Sequence, residues 1–380
     1  MAKVKNHAPA DPAAEGSAPA AAGKQKRFPV GLLVLLILIF VLTSGFLSYK
    51  MLTGPKAPTD KSYVAVTIPS GASTAQIGSQ LEKEGIIVSG LAFNLYSRTH
   101  DLSSQYKAGT YSLQRSMNVA KIAQTMAEGK TDNEKFTVIA GNHEYEIGAS
   151  LAKAGMVDEA KFKKVIETTD FTEKYDFLQD AQKNKHILEG YLYPDTYELP
   201  LGSSEKQVVE KMLDGFQSVF TDDLKARAQK RGMTINQVVI VASIIEREAG
   251  IDDDRAKIAS VIYNRLNKKM ALQMDSTVAY AMSVDGNEKK ADLSNADTRY
   301  DSPYNTYLNK GLPPGPICSP SLKSIQAALY PAKTDYLYFV LSARLDGSCV
   351  FSKTSAQFSK DVAAYDKAKK AQQAKQANQN

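Results

Sequence analysis

Polarity along the chain changes character sharply. Phe28 to Tyr49 is a stretch of 22 residues without a charge, and Val30-Gly-Leu-Leu-Val-Leu-Leu-Ile-Leu-Ile-Phe-Val-Leu42 inside it is apolar throughout. That length spans a bilayer's hydrocarbon, so a transmembrane helix is expected over residues 28–49. Beyond it the pattern breaks into short units. Val66-Thr-Ile-Pro-Ser-Gly71 gives a β-branched strand and a glycine turn, and Ala75, Ile77 and Leu81 then follow at helical spacing. Phe136-Thr-Val-Ile-Ala-Gly141, Ile147-Gly148, Leu151 and Gly155 repeat this pattern 70 residues later. Between the copies, Gly109-Thr-Tyr-Ser-Leu113 with Met117, Ile122 and Met126 supplies another strand and helix. Residues 63–170 are therefore expected to be small β/α units packed together. Further on, Ile235 to Ala249 is apolar almost all round, with Thr234 as N-cap and Gly250 to end it, which predicts a buried helix. Phe358, Val362 and Tyr365 predict a last docked helix that frays beyond Ala368. Strands and helices mixed in this way give an α+β fold class.

Apolar residues make up 43% of the 380 and charged residues 23%, so the chain as a whole is neither disordered nor a coiled coil. The net charge of +6 points toward nucleic acid until it is located. Lys3, Lys5, Lys24, Lys26 and Arg27 lie in the N-terminal tail and Lys360, Lys367, Lys369, Lys370 and Lys375 at the other end. Little net charge remains between the tails, so no nucleic-acid partner is expected. The cations before the apolar run place residues 1–27 in the cytoplasm as a tail and the rest outside the membrane. A cleaved secretory signal is the competing reading, but the run is longer than an h-region and sits behind an Ala/Pro-rich leader. Residues 50–62, with Pro55 and Pro58, read as a stalk. Cys318 and Cys349 both fall outside the membrane, where a disulfide between them is expected. His7, His100, His143 and His186 show no metal-ligand spacing, so neither metal nor cofactor is expected.

Glu246 carries the candidate chemistry. On the buried helix it projects over Ala242 and Ser243, with Val238 and Val239 two turns back. A carboxyl in apolar surroundings holds its proton, as a general acid at neutral pH must. Glu248 lies roughly 200° further round, too far to share one cleft. The plainer reading is a helix-end carboxylate paired with Arg247, Arg255 or Arg265. The rigid Gly311-Leu-Pro-Pro-Gly-Pro-Ile317 loop suits either close approach to a ligand or a tight turn. Gln273, Tyr304, Asn305 and Tyr307 offer amides, hydroxyls and stacking faces for a substrate, though each taken singly is more often structural. Asp275 reads as a second carboxylate or as a cap.

Six blocks then occur in order: Leu188-Glu-Gly-Tyr-Leu-Tyr-Pro-Asp-Thr-Tyr197, Val241-Ala-Ser-Ile-Ile-Glu-Arg-Glu248, Ile262-Tyr-Asn-Arg-Leu266, Leu272-Gln-Met-Asp-Ser-Thr-Val278, Ser302-Pro-Tyr-Asn-Thr-Tyr307 and the Gly311 loop. From about Val66 to Phe358 the chain resembles the endolytic murein transglycosylase family (MltG, or YceG-like). The repeat region also resembles LysM-type glycan-binding modules. It reads equally well as a spacer or docking platform, because repeats fix architecture and not ligand. The chain departs from the family at Cys349 and Gln357, where relatives often carry histidines, so no role is transferred to those positions.

The resemblance implies a membrane-anchored lyase on peptidoglycan glycan strands, with Glu246 catalytic and peptidoglycan synthases as possible neighbours. A LysM-like portion over residues 63–170 would precede a mixed catalytic domain over 171–360, and 361–380 would form the helix end and basic tail. A muramidase, a glycan-binding module and a non-catalytic scaffold of the wall machinery are the alternatives.

Overall fold

A computed structural model describes residues 30–130, 132–181, 185–287 and 293–377. The expected cytoplasmic tail, Phe28, Pro29 and the last three residues lie outside the described residues. Helix α1 (Val30–Thr53) is the expected apolar span, with its side chains facing outward. It continues past Tyr49 because no breaker occurs before Gly54 and Pro55. The stalk is docked rather than loose: Ala57 N donates to Arg115 O at 3.0 Å, and Asp60 pairs with Arg115 at 3.2 Å.

Two cores follow. In the first, β1 (Tyr63–Ile68) pairs antiparallel with β2 (Gly109–Gln114), from Tyr63 opposite Gln114 to Ile68 opposite Gly109. Helices α2 (Thr74–Lys83), α3 (Gly90–Thr99) and α4 (Val119–Glu128) cover it, each opened by a polar cap at Ser73, Ser89 or Asn118 that accepts from its first turn. Val66, Ile77, Leu81, Phe93, Tyr111 and Ile122 close this core.

The second repeat does not join it. Its strand β3 (Asn133–Thr137) pairs antiparallel with β4 (Thr196–Pro200), from Asn133 opposite Pro200 to Thr137 opposite Thr196. Its helices α5 (Glu144–Lys153) and α6 (Glu159–Thr168) bury Ile147, Leu151, Phe162 and Ile166 in the larger core. The expected block over 63–170 is thus divided after α4, because β3 finds its hydrogen-bonding partner beyond the repeat.

The larger core is completed by helices α7 (Glu205–Val219), α8 (Asp222–Lys230), α9 (Ile235–Glu248), α10 (Asp252–Asn267), α11 (Asp275–Val284) and α12 (Leu322–Leu329). A hairpin of β5 (Tyr338–Leu341) and β6 (Cys349–Ser352) carries the last helix, α13 (Ser355–Ala377). Helix α13 docks as expected, the Phe358 ring stacking on Tyr338 at 5.2 Å. It does not fray at Ala368 but runs to Ala377, since Ala, Lys and Gln are strong helix formers that need no burial.

Candidate active site

Helix α9 is built from its cap inward. Thr234 and Gln237 exchange hydrogen bonds in a capping box, fixing the first turn. The run Val238 to Ile245 is then 0–3% exposed, so α9 threads the middle of the larger core. Its last turn emerges with Glu246 and Glu248 on separate sides.

The Glu246 side chain is 8% exposed. Its Oε2 accepts from Ser321 N at 2.9 Å and Ser321 Oγ at 2.5 Å, and Arg255 Nη1 lies 3.2 Å away. Oε1 accepts no hydrogen bond among the described residues. Arg255 is itself held by Asp252 Oδ1 at 3.0 Å and by Ser324 Oγ at 2.5 Å. The apolar surroundings expected for this carboxylate are therefore replaced on one side by an arginine and a serine, and the pairing foreseen in the plainer reading is the one that forms. The space over Ala242 and Ser243 is filled too. Ser243 Oγ accepts from Ile317 N at 3.0 Å, which lays the Pro/Gly loop on the helix.

Two other segments close on the end of α9. Gly141 and Ser319 exchange a clamp through Gly141 N to Ser319 O and Ser319 N to Asn142 O, both 2.9 Å, while Arg247 Nη1 donates to Gly141 O at 3.1 Å. A Cβ on Gly141 would stand 4.0 Å from Glu246 Cγ, so the glycine turn of the second repeat lies beside the carboxylate. Gly190, at φ +86°, brings the Leu188–Tyr197 block in; a Cβ there would meet Pro316 Cβ at 2.6 Å and Val239 Cγ1 at 2.7 Å. Tyr193 from that block is buried, which raises its hydroxyl, with the Asp195 and Glu246 charges adding to the effect.

The remaining expected site residues gather on the Glu248 side. Glu248 Oε1 accepts from Ser276 Oγ at 2.6 Å and from Ser276 N at 3.4 Å at the start of α11. Burial raises its carboxyl, the Ser276 bonds oppose this and Asp275 adds to it. Asp275 is exposed at the first position of α11 and accepts from Tyr307 Oη at 2.5 Å. Gln273 is also exposed, held at φ +51° by its N–H to Thr306 O at 3.1 Å. Asn305 does not serve a ligand. It is wholly buried, its Nδ2 donating to Thr298 O and Tyr300 O and its Oδ1 accepting from Tyr307 N at 2.9 Å. Tyr304 turns inward against Tyr280, with ring centroids 4.9 Å apart.

A depression of about 40 Å³ lies between the Gly141 turn and α11, lined by Gly141, Arg247, Ser276, Tyr280 and Ile317. That is little more than one water's share of liquid, about 30 Å³. A depression of about 680 Å³ lies elsewhere, on the first unit between Tyr96, Gln105, Asn118 and Lys121. Behind the site, Glu144 and Glu189 are buried together. His186 Nδ1 lies 2.7 Å from Glu144 Oε1, and Glu144 N donates to Glu189 Oε2 at 3.3 Å. Burial and the neighbouring Glu144 push the Glu189 carboxyl well up.

The expected disulfide is absent, since both cysteines are free. Cys318 is buried with Sγ donating to Ser243 O at 3.3 Å, whereas Cys349 N donates to Asp254 Oδ2 at 2.6 Å. The Cys318 thiol is thus tied to α9 and the Cys349 backbone to α10. Burial raises both, that of Cys349 to about 12. Among the described residues, no group of three or more His, Cys, Asp or Glu is placed to hold a metal ion.

The profile of the YceG-like family matches residues 66–364, a span that takes in both cores and the end of α9. The chain belongs to the YceG-like family. This YceG-like chain is 37% identical over 344 residues to the endolytic murein transglycosylase of Bacillus subtilis (strain 168), covering 86% of itself and 91% of that protein. It is 32% identical over 367 residues to the protein of the same name from Streptococcus pneumoniae (strain ATCC BAA-255 / R6), covering 90% of itself and 65% of that longer chain. Among solved structures, a crystal structure of a yceG-like protein from Listeria monocytogenes matches with a TM-score of 0.55 at 36% identity, covering 79% of this chain and 99% of that one.

Proposed function

We propose that the chain is a membrane-anchored endolytic murein transglycosylase in which Glu246 is both acid and base. The observation that carries this is the asymmetry of the Glu246 carboxylate. Oε2 is held by two hydrogen bonds from Ser321 and an ion pair with Arg255, while Oε1 accepts from none among the described residues. Oε1 protonates the oxygen bridging MurNAc to GlcNAc, and that bond breaks as GlcNAc departs. Arg255 and Ser321 stabilise the carboxylate left on Glu246. The C6 hydroxyl of MurNAc closes on C1 and returns its proton to Oε1, so the product is 1,6-anhydroMurNAc. One carboxylate suffices because the nucleophile belongs to the substrate, whereas hydrolases use two.

Relatives named endolytic murein transglycosylase support this reading. Helix α1 with its short docked stalk suits a site held close outside the membrane, N-terminus in the cytoplasm. New glycan is made there, so a cut would release it from its synthase and end elongation. That the first unit grips glycan is part of the same proposal, since its depression is roomy and offers Tyr96, Gln105, Asn118 and Lys121 along a largely apolar lining.

The test is digestion of uncrosslinked strands in ¹⁸O-labelled water. Long anhydro-ended fragments without label are expected; labelled reducing MurNAc ends would identify a hydrolase and overturn the reading.

A further inference from the structure

Helix α3 has two unlike faces. Ala92, Phe93 and Ser97 are buried in the first core. Leu91 and Leu95, one turn apart on the opposite stripe, are 84% and 52% exposed, and Arg98 continues that stripe. Two large leucines side by side on one stripe of a capped, well-packed helix form an apolar patch that a partner would cover.

The end of α1 indicates the partner. Helix α1 packs its last turns on α3, and Phe46, Tyr49, Lys50 and Thr53 share a cavity of about 290 Å³ with Tyr96 of α3 and Asn118 before α4. Hydrocarbon about 30 Å thick takes roughly 20 helical residues. Counted from Val30, the apolar span therefore leaves the hydrocarbon near Tyr49. The contact with Tyr96 then fixes α3 at headgroup height. Aromatic rings at Phe46, Tyr49 and Tyr96 together with the cations Lys50 and Arg98 are the composition of a bilayer interface.

We propose that α3 is a second membrane contact, Leu91 and Leu95 dipping into the outer leaflet beside α1 while Arg98 meets lipid phosphate. The first unit then lies on the membrane as a foot, and the larger core with Glu246 is held at a fixed tilt instead of swinging on a single helix. The inference rests on α1 being the membrane span proposed above.

The chain contains no tryptophan, so single reporters are unambiguous. Full-length L91W, L95W, F46W and L308W proteins would be reconstituted in phosphatidylethanolamine/phosphatidylglycerol vesicles with and without brominated acyl chains. Leu308, 53% exposed on the far core, is the aqueous control. Expected are quenching by brominated lipid and protection from aqueous iodide at positions 46, 91 and 95, and the reverse at 308. Quenching at 46 with iodide access at 91 and 95 would overturn the foot while leaving the anchor. Iodide protection at 91 and 95 without bromine quenching would also overturn it, in favour of a second copy of the chain. No quenching at 46 would remove the anchor itself and the foot with it.

Discussion

Glu246 and Glu248 leave one helical turn for different surroundings, and substitutions should separate them. Glu246→Gln keeps shape and removes the proton, so turnover should fall on the order of 10²- to 10⁴-fold with the fold intact. Glu248→Gln can still accept from Ser276 and should change turnover far less; equal losses, read as released anhydro ends, would contradict the assignment. Arg255→Gln removes the cation that stabilises the spent carboxylate, and kcat should drop on the order of 10²-fold with KM little changed. A rise in KM alone would make Arg255 a substrate contact instead. Glu189 gives a pH signature. Its folded carboxyl is raised above the ordinary 4.5, so its contribution is complete below that value and is lost as pH rises toward the folded value. Melting temperature should therefore fall as pH rises from about 4.5, and Glu189→Gln should flatten that fall; an unchanged slope would place the proton elsewhere. Glu246 was singled out by the family resemblance, because the helix pattern alone favoured a paired helix-end carboxylate, and that pairing is present with Arg255. The sequence misled at Asn305, where residue type suggested a donor for a substrate but the loop consumes every polar atom. Arg255 was legible only as one of three candidates, since a pairing nine residues apart across two helices leaves no periodic trace.

Helices announced themselves through caps and spacing, and α9 begins and ends within a residue of its expected bounds. Strand pairing did not. β3 and β4 are joined across some 60 residues, and nothing local in Phe136-Thr-Val tells whether its partner comes before or after it. The frayed end expected for α13 erred in the other direction, because helix propensity outlasts burial. Close packing between elements was equally hidden. Gly190 lies against Pro316 and Val239 with no room for a methyl group and at a left-handed φ. Gly190→Ala should destabilise by roughly 2 to 4 kcal/mol from overpacking and backbone strain together. Denaturant unfolding of the full chain checks this, and a change under about 0.5 kcal/mol, the range of ordinary surface substitutions, would show that the loop yields.

At the scale of the whole molecule, two cores meet along a narrow seam. Ala65 N donates to Gly202 O at 3.1 Å and Ser112 Oγ to Asp132 O at 2.9 Å. A Cβ on Gly202 would stand 2.2 Å from Tyr63 O, so Gly202→Val should part the cores without unfolding either. Calorimetry would then resolve two transitions in place of closely coupled ones; a single lowered transition would mean the cores fold as one. The repeat had suggested two equal copies, yet only the first closes on itself. The second has given its strand to β4 and its glycine turn to the neighbourhood of Glu246. Exchange of parts between related chains is governed by that asymmetry. The unit ending at α4 is expected to be exchangeable at a joint placed before β3, while a graft joined at residue 171 would strip β4 of its only pairing among the described strands and yield no working cutter.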